Sequence, residues 1–446
     1  MILKCVYRFP FFDWLMKILM FGWEFPPHIS GGLGTACYGL TKSLSQIDDL
    51  EVTFVVPKKY GDEDLPNITF IGADQIPVIQ QQIHFDDSNA KLEYYAIHSQ
   101  LIPYLGTAEF ESLNNEKKVS ENRFIEVTEE GKVLFAGGYG FSLFQEIEYY
   151  SVVGEKLARE LAFDVIHVHD WMCYPAGVAA KLASGKPLVA HIHSTEFDRC
   201  GQAVNPAICM IEKEGLEKAD KIIAVSNFTR SIVIRNYGID RRKVITIHNA
   251  VEPTNYSAEL FSKPYSADKV VTFLGRITAQ KGPGYFVDAA FLVIQKYKNV
   301  RFIMAGKGDL LQEMKQKVTD LRISGFFQFP GFVADEEIPE LFLSSDIFVM
   351  PSVSEPFGIV ALEAMQAGVA TVVSNQSGVS EVVKNVIKVD YWDTRALANA
   401  IIHLLENTKF RKQNEKKGKT EVQKLIWENT ALKVYKVYER LIKQGV

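Results

Sequence analysis

The sequence predicts an α/β protein made of two doubly wound, parallel-sheet domains. Three observations carry that prediction. Short apolar runs that end in a glycine or polar turn and continue as a helical pattern recur along the chain, as at Lys17 to Gly22, Val270 to Leu274, Arg301 to Ala305 and Asp346 to Met350. Alternation of this kind specifies a parallel sheet with helices on both faces. At 446 residues the chain exceeds one ordinary core. The polar stretch between Pro253 and Pro264 supplies a linker, which sets a boundary near residue 255.

Composition excludes several classes. The chain is 47% hydrophobic and 23% charged, values of a soluble globular protein, and its net charge of −5 offers no basic footprint for nucleic acid. The five cysteines (Cys5, Cys37, Cys173, Cys200 and Cys209) are odd in number and lack a C-x-x-C pair, which points to a reducing cytoplasm. No apolar run reaches a membrane-spanning length. Residues 1–15 stand apart. Pro10 and Asp13 interrupt their apolar run, and the expectation is an upstream start codon with Met16 as the functional start. A peripheral membrane anchor is the competing reading.

In the first domain, residues 16–254, the strand Lys17 to Gly22 runs into Trp23-Glu-Phe-Pro-Pro-His28-Ile-Ser-Gly31-Gly32-Leu-Gly34 and then a helix, Thr35 to Ser45. A strand, a glycine-rich turn and a helix let backbone approach a phosphate or a sugar closely. Strands follow at Glu51 to Pro57 and Lys91 to Ile97, within a stretch whose residues 86–136 read as a loop-rich insertion. A helix from Gly140 to Ala162 leads to Asp164-Val-Ile-His167-Val-His169-Asp170-Trp171, and a further strand ends at His191-Ile-His193. Residues i and i+2 of a strand share a face, so each His-x-His pair could chelate a metal. The alternative keeps one His of each pair packed and sends the other into a cleft. Strands at Lys221 to Val225 and Lys243 to Ile247 complete this domain.

The second domain, residues 255–425, carries three anion-binding features. Arg276 and Lys281 are five residues apart across a strand-to-helix turn, so both can reach one anion. The helix that begins near Gly358 presents unpaired N–H groups and partial positive charge, which suit a phosphate. Glu355 and Glu363 flank that terminus, eight residues apart. Carboxylates beside a phosphate cradle suit a ligand that also carries hydroxyls, as a nucleotide sugar does. Helices at Asp393 to Glu406 and Thr420 to Lys443 end the chain, with the Lys409 to Lys419 charge run on a solvated helix face and loop.

The stretch Glu355-Pro-Phe-Gly-Ile-Val-Ala-Leu-Glu363 resembles the E-x7-E signature of the retaining GT-B glycosyltransferases, closest to family 4 and the glycogen and starch synthases. Gly31-Gly32-Leu, His169-Asp-Trp, Gly275-Arg276-x4-Lys281-Gly and the final Trp427-Glu-Asn helix are similar to the same enzymes, so the resemblance spans about residues 16 to 440. It implies two Rossmann-like domains facing a central cleft, with residues 426–446 crossing back onto the first domain. It implies Glu355, His169, Arg276 and Lys281 at the reacting centre. Gly31, Gly32, Asp170, Gly358, Ile359, Val360 and Glu363 would contact substrate, with Glu363 on the nucleotide ribose. The expected reaction is α-1,4-glucan elongation from UDP- or ADP-glucose, retaining and without a metal or other cofactor. Gly378-Val-Ser-Glu381 resembles another donor-side loop.

One departure matters. The synthases carry Lys two residues before the first glycine, and this chain has Ile29. A family 4 enzyme acting on a lipid-linked or small-molecule acceptor therefore stays open. So does a metal-dependent hydrolase built on the His pairs, for which an eight-fold barrel would be the natural frame, and a nucleotide-sugar epimerase of the same two-domain plan.

Overall fold

The architecture comes from a computed structural model that describes residues 15–28, 31–78, 128, 131–135, 137, 140, 143–254 and 268–445. Residues 1–14, Ile29, the strand expected at 91–97, most of the 86–136 insertion and residues 255–267 of the linker region lie outside the described residues.

The first sheet comprises β1 (Met16–Phe21), β2 (Leu50–Val56), β3 (Ile68–Gly72), β4 (Val165–His169), β5 (Leu188–Ile192), β6 (Lys221–Ala224) and β7 (Val244–Thr246), in the order 3-2-1-4-5-6-7. The second comprises β8 (Lys269–Leu274), β9 (Val300–Ala305), β10 (Phe327–Gly331), β11 (Ile347–Met350), β12 (Ala370–Ser374) and β13 (Ile387–Val389), in the order 10-9-8-11-12-13. Every strand pairing in both is parallel. These are two open doubly wound sheets, so the barrel frame of the hydrolase reading is not formed. Each sheet reverses direction at one switch point, between β1 and β4 and between β8 and β11. Ligands of open α/β sheets bind at the carboxyl ends of such strands.

Burial follows from that plan. All residues of β4, β5, β11 and β12 are buried, because helices cover both faces. One core packs helix Leu143–Glu160 and its neighbours on one side of the first sheet, through Ile147, Tyr150, Val153 and Leu157. The opposite face packs Met16, Ile18 and Met20 of β1 with Trp427, Val434, Tyr438 and Leu441 of the final helix, Trp427–Lys443. That helix crosses back onto the first domain. At Gly39 an added Cβ would fall 2.2 Å from Trp427 Nε1, so the absent side chain is what lets the indole in.

Two element expectations need correction. The single helix expected over Thr420 to Lys443 is broken. Thr408–Val422 is one helix and Trp427–Lys443 another. In the break the Val251 N–H donates to Leu425 O at 3.1 Å, so the chain is pinned where it crosses between domains. The Lys409 to Lys419 charge run is helical throughout rather than part loop, which suits its helix-forming Lys, Gln and Glu residues. Among the described residues, no helix is long and apolar enough to cross a membrane.

Candidate active site

The loops carrying the predicted residues emerge at the carboxyl ends of β1, β4, β8 and β11, the four switch-point strands. Glu355 sits in the loop after β11, 6% exposed. Its backbone is tied to the loop after β12, with its N–H donating to Gln376 O and its carbonyl accepting from the Gly378 N–H, both at 2.9 Å. Lys281 Nζ donates to both carboxylate oxygens, at 2.9 and 2.7 Å, and Ser352 Oγ donates to one at 2.9 Å. The cation expected on a leaving diphosphate is thus paired with the expected catalytic carboxylate. Such a pair fixes both side chains in place before a ligand arrives.

Arg276 is half-buried, and its Nη2 donates to Gln280 Oε1 at 3.2 Å. Gln280 in turn braces the β11 loop. Its Nε2 donates to Ser354 O, and its carbonyl accepts from the Val353 N–H. Gln280 was not anticipated, though its position inside the Arg276-x4-Lys281 frame was a signal.

Gly358 precedes the helix Ile359–Gln366 with φ 104°, and no side chain caps that terminus. A Cβ there would be strained and would meet Met350 Cε at 2.8 Å. Ile359 and Val360 open the helix half-buried, and its first N–H groups carry no side-chain cap. Glu363 lies further along the same helix, partly exposed as a residue. Burial of its carboxyl, with the charge of Asp335 added, pushes it up to about 7.

In the first domain, Gly31 and Gly32 are exposed, and a Cβ on either would meet nothing within 4 Å. Packing therefore does not demand glycine here, and space is left above the loop. His169 and Asp170 end β4, fully buried. Asp170 has φ 59°, and its Oδ1 accepts from the N–H groups of His193 (2.6 Å) and Ser194 (3.3 Å). It thereby holds the turn after β5. Burial pushes its carboxyl up to about 7 against those donors and the charge of Arg199. Trp171 is wholly in the core.

The two His-x-His pairs form one cluster rather than two independent pairs with one ring of each in the cleft. β4 and β5 are neighbours with His169 opposite His191, so all four rings stack on one face. His167, His169 and His191 are 0% exposed and His193 8%. His169 Nδ1 lies 3.0 Å from His193 Nε2, His167 Nε2 lies 3.2 Å from His191 Nδ1, and His167 Nδ1 is hydrogen-bonded to the Tyr438 hydroxyl. Burial lowers all four imidazoles, His167 and His193 to about 3, so they are neutral at pH 7.

Two contacts across the domains escaped the sequence. Ser354 Oγ donates to Asp198 Oδ1 at 2.5 Å. Glu381, expected on the donor side, instead accepts from the Asn227 N–H (2.9 Å), the Phe228 N–H (2.7 Å) and Asn227 Nδ2, with His248 Nε2 at 2.8 Å. It caps a first-domain helix, Asn227–Tyr237, from the second domain.

Two open parallel sheets with a carboxylate–lysine pair and an uncapped helix terminus at one switch point define a glycosyltransferase of the GT-B fold. The comparisons with known proteins agree. The family model described as Glycosyltransferase Family 4 matches residues 133–255, and that described as Glycosyl transferases group 1 matches residues 259–421. An uncharacterized glycosyltransferase of Methanocaldococcus jannaschii is 28% identical over 445 residues, covering 95% of this chain and 98% of that one. The alpha-maltose-1-phosphate synthase of Mycolicibacterium smegmatis is 30% identical over 315 residues, covering 63% and 80%. Among solved structures, the sucrose-phosphate synthase of Thermosynechococcus elongatus superposes with a TM-score of 0.69 at 18% identity, covering 96% of this chain and 100% of that one. The chain belongs to the family 4 type of GT-B glycosyltransferases.

Proposed function

We propose that the protein is a retaining hexosyltransferase that moves glucose from UDP- or ADP-glucose to a glycan, with α-1,4-glucan elongation as its first candidate reaction. The observation that carries the reading is the Glu355 carboxylate, held by Lys281 and Ser352 directly ahead of the uncapped helix terminus at Gly358. Breaking the anomeric C–O bond leaves positive charge on the sugar and sends the electron pair out with the diphosphate. Arg276, Lys281 and the N–H groups of Ile359 and Val360 stabilise that diphosphate, so the step is assigned to fixed protein charges without a metal. Glu355 lies beside the sugar and supports its positive charge. Glu363 accepts from the ribose hydroxyls. His169, held neutral, and the open space above Gly31 and Gly32 lie on the sugar and acceptor side, where Asp170 fixes the β5 turn. The acceptor oxygen bonds to the anomeric carbon from the face the diphosphate leaves. Its proton goes to the departing phosphate oxygen.

A small-molecule or lipid-linked acceptor is the second reading. Ile29 supplies no charge where the glucan synthases carry Lys, and one relative is named for making α-maltose 1-phosphate, a small glucoside. The test measures nucleoside diphosphate release from each donor in EDTA, with glycogen, with small glucosides, and with neither. Glycogen-dependent release that is lost in Glu355→Ala supports the first reading, and glucoside-dependent release the second. A folded protein that binds neither UDP nor ADP overturns both.

A further inference from the structure

The histidine cluster exceeds what sugar transfer requires. One imidazole at the reacting centre would suffice, yet the structure gathers four, with the thiol of Cys37 beside them. Cys37, on the helix that follows the glycine loop, is 1% exposed. Cys37, His169 and His193 each offer a ligand atom, and these atoms all lie within 4.8 Å of one another. The buried atoms His169 Nε2 and His193 Nδ1 have no hydrogen-bond partner. The opposite ring nitrogens, His169 Nδ1 and His193 Nε2, lie 3.0 Å apart and hold the two rings to each other.

The geometry points to a zinc site made of Cys37, His169 and His193, with a fourth position left for water or a ligand. Two imidazoles and a thiolate select a borderline, nitrogen- and sulfur-seeking ion over magnesium or calcium, which prefer oxygen. The imidazoles are already neutral, so no proton competes for their lone pairs. Burial holds the Cys37 thiol protonated, and the nearby charges of Cys173, Asp170 and Glu24 add to that effect. The same carboxylates favour a cation. Zinc would bind the sulfur as thiolate and release one proton to solvent. His193, the most exposed of the three, gives the access path. The second trio, His167, His169 and His191, lacks a thiol and is sealed at 0% exposure, with His167 committed to Tyr438. One consequence rests on the role proposed for His169. Zinc there would inhibit transfer reversibly, since the proposed step is assigned to protein charges rather than to this ion.

The test uses the full chain stripped with EDTA and titrated with zinc against a chromogenic chelator. One equivalent should bind, and Cys37→Ala should weaken it at least tenfold. Cobalt, as a spectroscopic stand-in, should give a thiolate-to-cobalt charge-transfer band in the unsubstituted protein and none in Cys37→Ala. If that variant does not fold, His193→Gln takes its place in the titration. No stoichiometric zinc, or equal binding by the variants, overturns the site. A thermal shift on adding UDP or ADP reports the nucleotide site separately. Zinc without nucleotide binding would keep this inference and remove the transferase reading, and the reverse result would do the opposite.

Discussion

Replacing Lys281 by Met should damage the protein twice, through stability and through chemistry, and the two effects are separable. In the structure Lys281 supplies two of the three side-chain hydrogen bonds to the Glu355 carboxylate, and only Ser352 remains without it. Removing one member of a fully buried ion pair costs about 3–5 kcal/mol, because the other charge stays buried alone. The Lys281 side chain is 21% exposed and that of Glu355 7%, so water reaches part of the pair and the expected loss is about 2–3 kcal/mol. Lys281→Met with Glu355→Gln removes both charges, and the Gln amide still accepts from Ser352. About 1–2 kcal/mol of the loss should return. Denaturant unfolding of the four proteins of the cycle measures this coupling. Activity should not return, since kcat should fall by about 10²–10³ when the leaving-group cation is lost and stay at or below that level in the double variant. A double variant no more stable than Lys281→Met would refute the pairing argument. Unchanged turnover in a folded Lys281→Met would refute the assignment of that lysine to the diphosphate.

Three further outcomes follow from single side chains. The Glu363 carboxyl titrates at about 7 rather than 4.5. The folded state therefore holds its proton more tightly than the unfolded state, and the associated stability is full below 4.5 and lost as pH rises towards 7. Glu363→Gln should stabilise the ligand-free protein by about 1–2 kcal/mol at pH 8, leave it unchanged at pH 4, and weaken UDP or ADP binding, read by thermal denaturation and calorimetry. For Glu381, burial raises the carboxyl, but His248 and the N–H groups of Asn227 and Phe228 outweigh it and lower the group overall. Its contribution is present above the unfolded value and lost as pH falls, so Glu381→Ala should cost about 1–2 kcal/mol at pH 7 and little at pH 3 in urea titrations. Gly39→Ala should push Trp427 aside at a cost of about 1–3 kcal/mol, seen as a changed tryptophan emission and faster proteolytic release of the C-terminal helix.

The central strands were legible because each is a short apolar run closed by a turn residue, and a parallel sheet buried on both faces leaves that mark, whereas the partly exposed edge strands β3 and β13 were not read. The site was legible where its parts are local. Gly358 with its helix terminus, Glu355 to Glu363, and Arg276 to Lys281 each fit within a few residues, so the family resemblance could be read from each stretch, although spacing alone left a solvated pair as the simpler reading. Beyond the return of the final helix to the first domain, what the sequence did not show was which distant side chains meet. Neither His pair reveals that β4 and β5 lie side by side with His169 opposite His191, and that register turns two pairs into one stack. The Lys281–Glu355 pair joins residues 74 apart, and Glu381 reaches 133 residues back to His248. The break at residues 423–426 shows the same limit. No proline or glycine marks it, and the Leu425 carbonyl there accepts from the distant Val251 N–H.

The matching strand orders explain why the parts can converge at all. Each sheet alone offers a crevice at its switch point, with its own glycine loop and helix terminus. In the first domain, Gly31 and Gly32 lie at the switch point on the loop after β1, and in the second, Lys281, Glu355 and Gly358 lie on the loops after β8 and β11. A reaction that joins a nucleotide-bound sugar to a separate acceptor needs two such crevices facing each other and held in register. Asp198 with Ser354, and Glu381 with Asn227 and His248, are the polar part of that register, beside an apolar contact of Val225 and Val251 with the second-domain cluster around Phe348 and Phe357. A hydrogen bond to a charged group contributes about 1.5–3 kcal/mol net, so each latch resists separation of the domains while it is made. A second apolar tie is the final helix, whose Trp427 and Tyr438 pack into the first domain well away from those latches in sequence. The two domains are thus tied in three ways, by the final helix, by the Val225 and Val251 contact and by the polar latches.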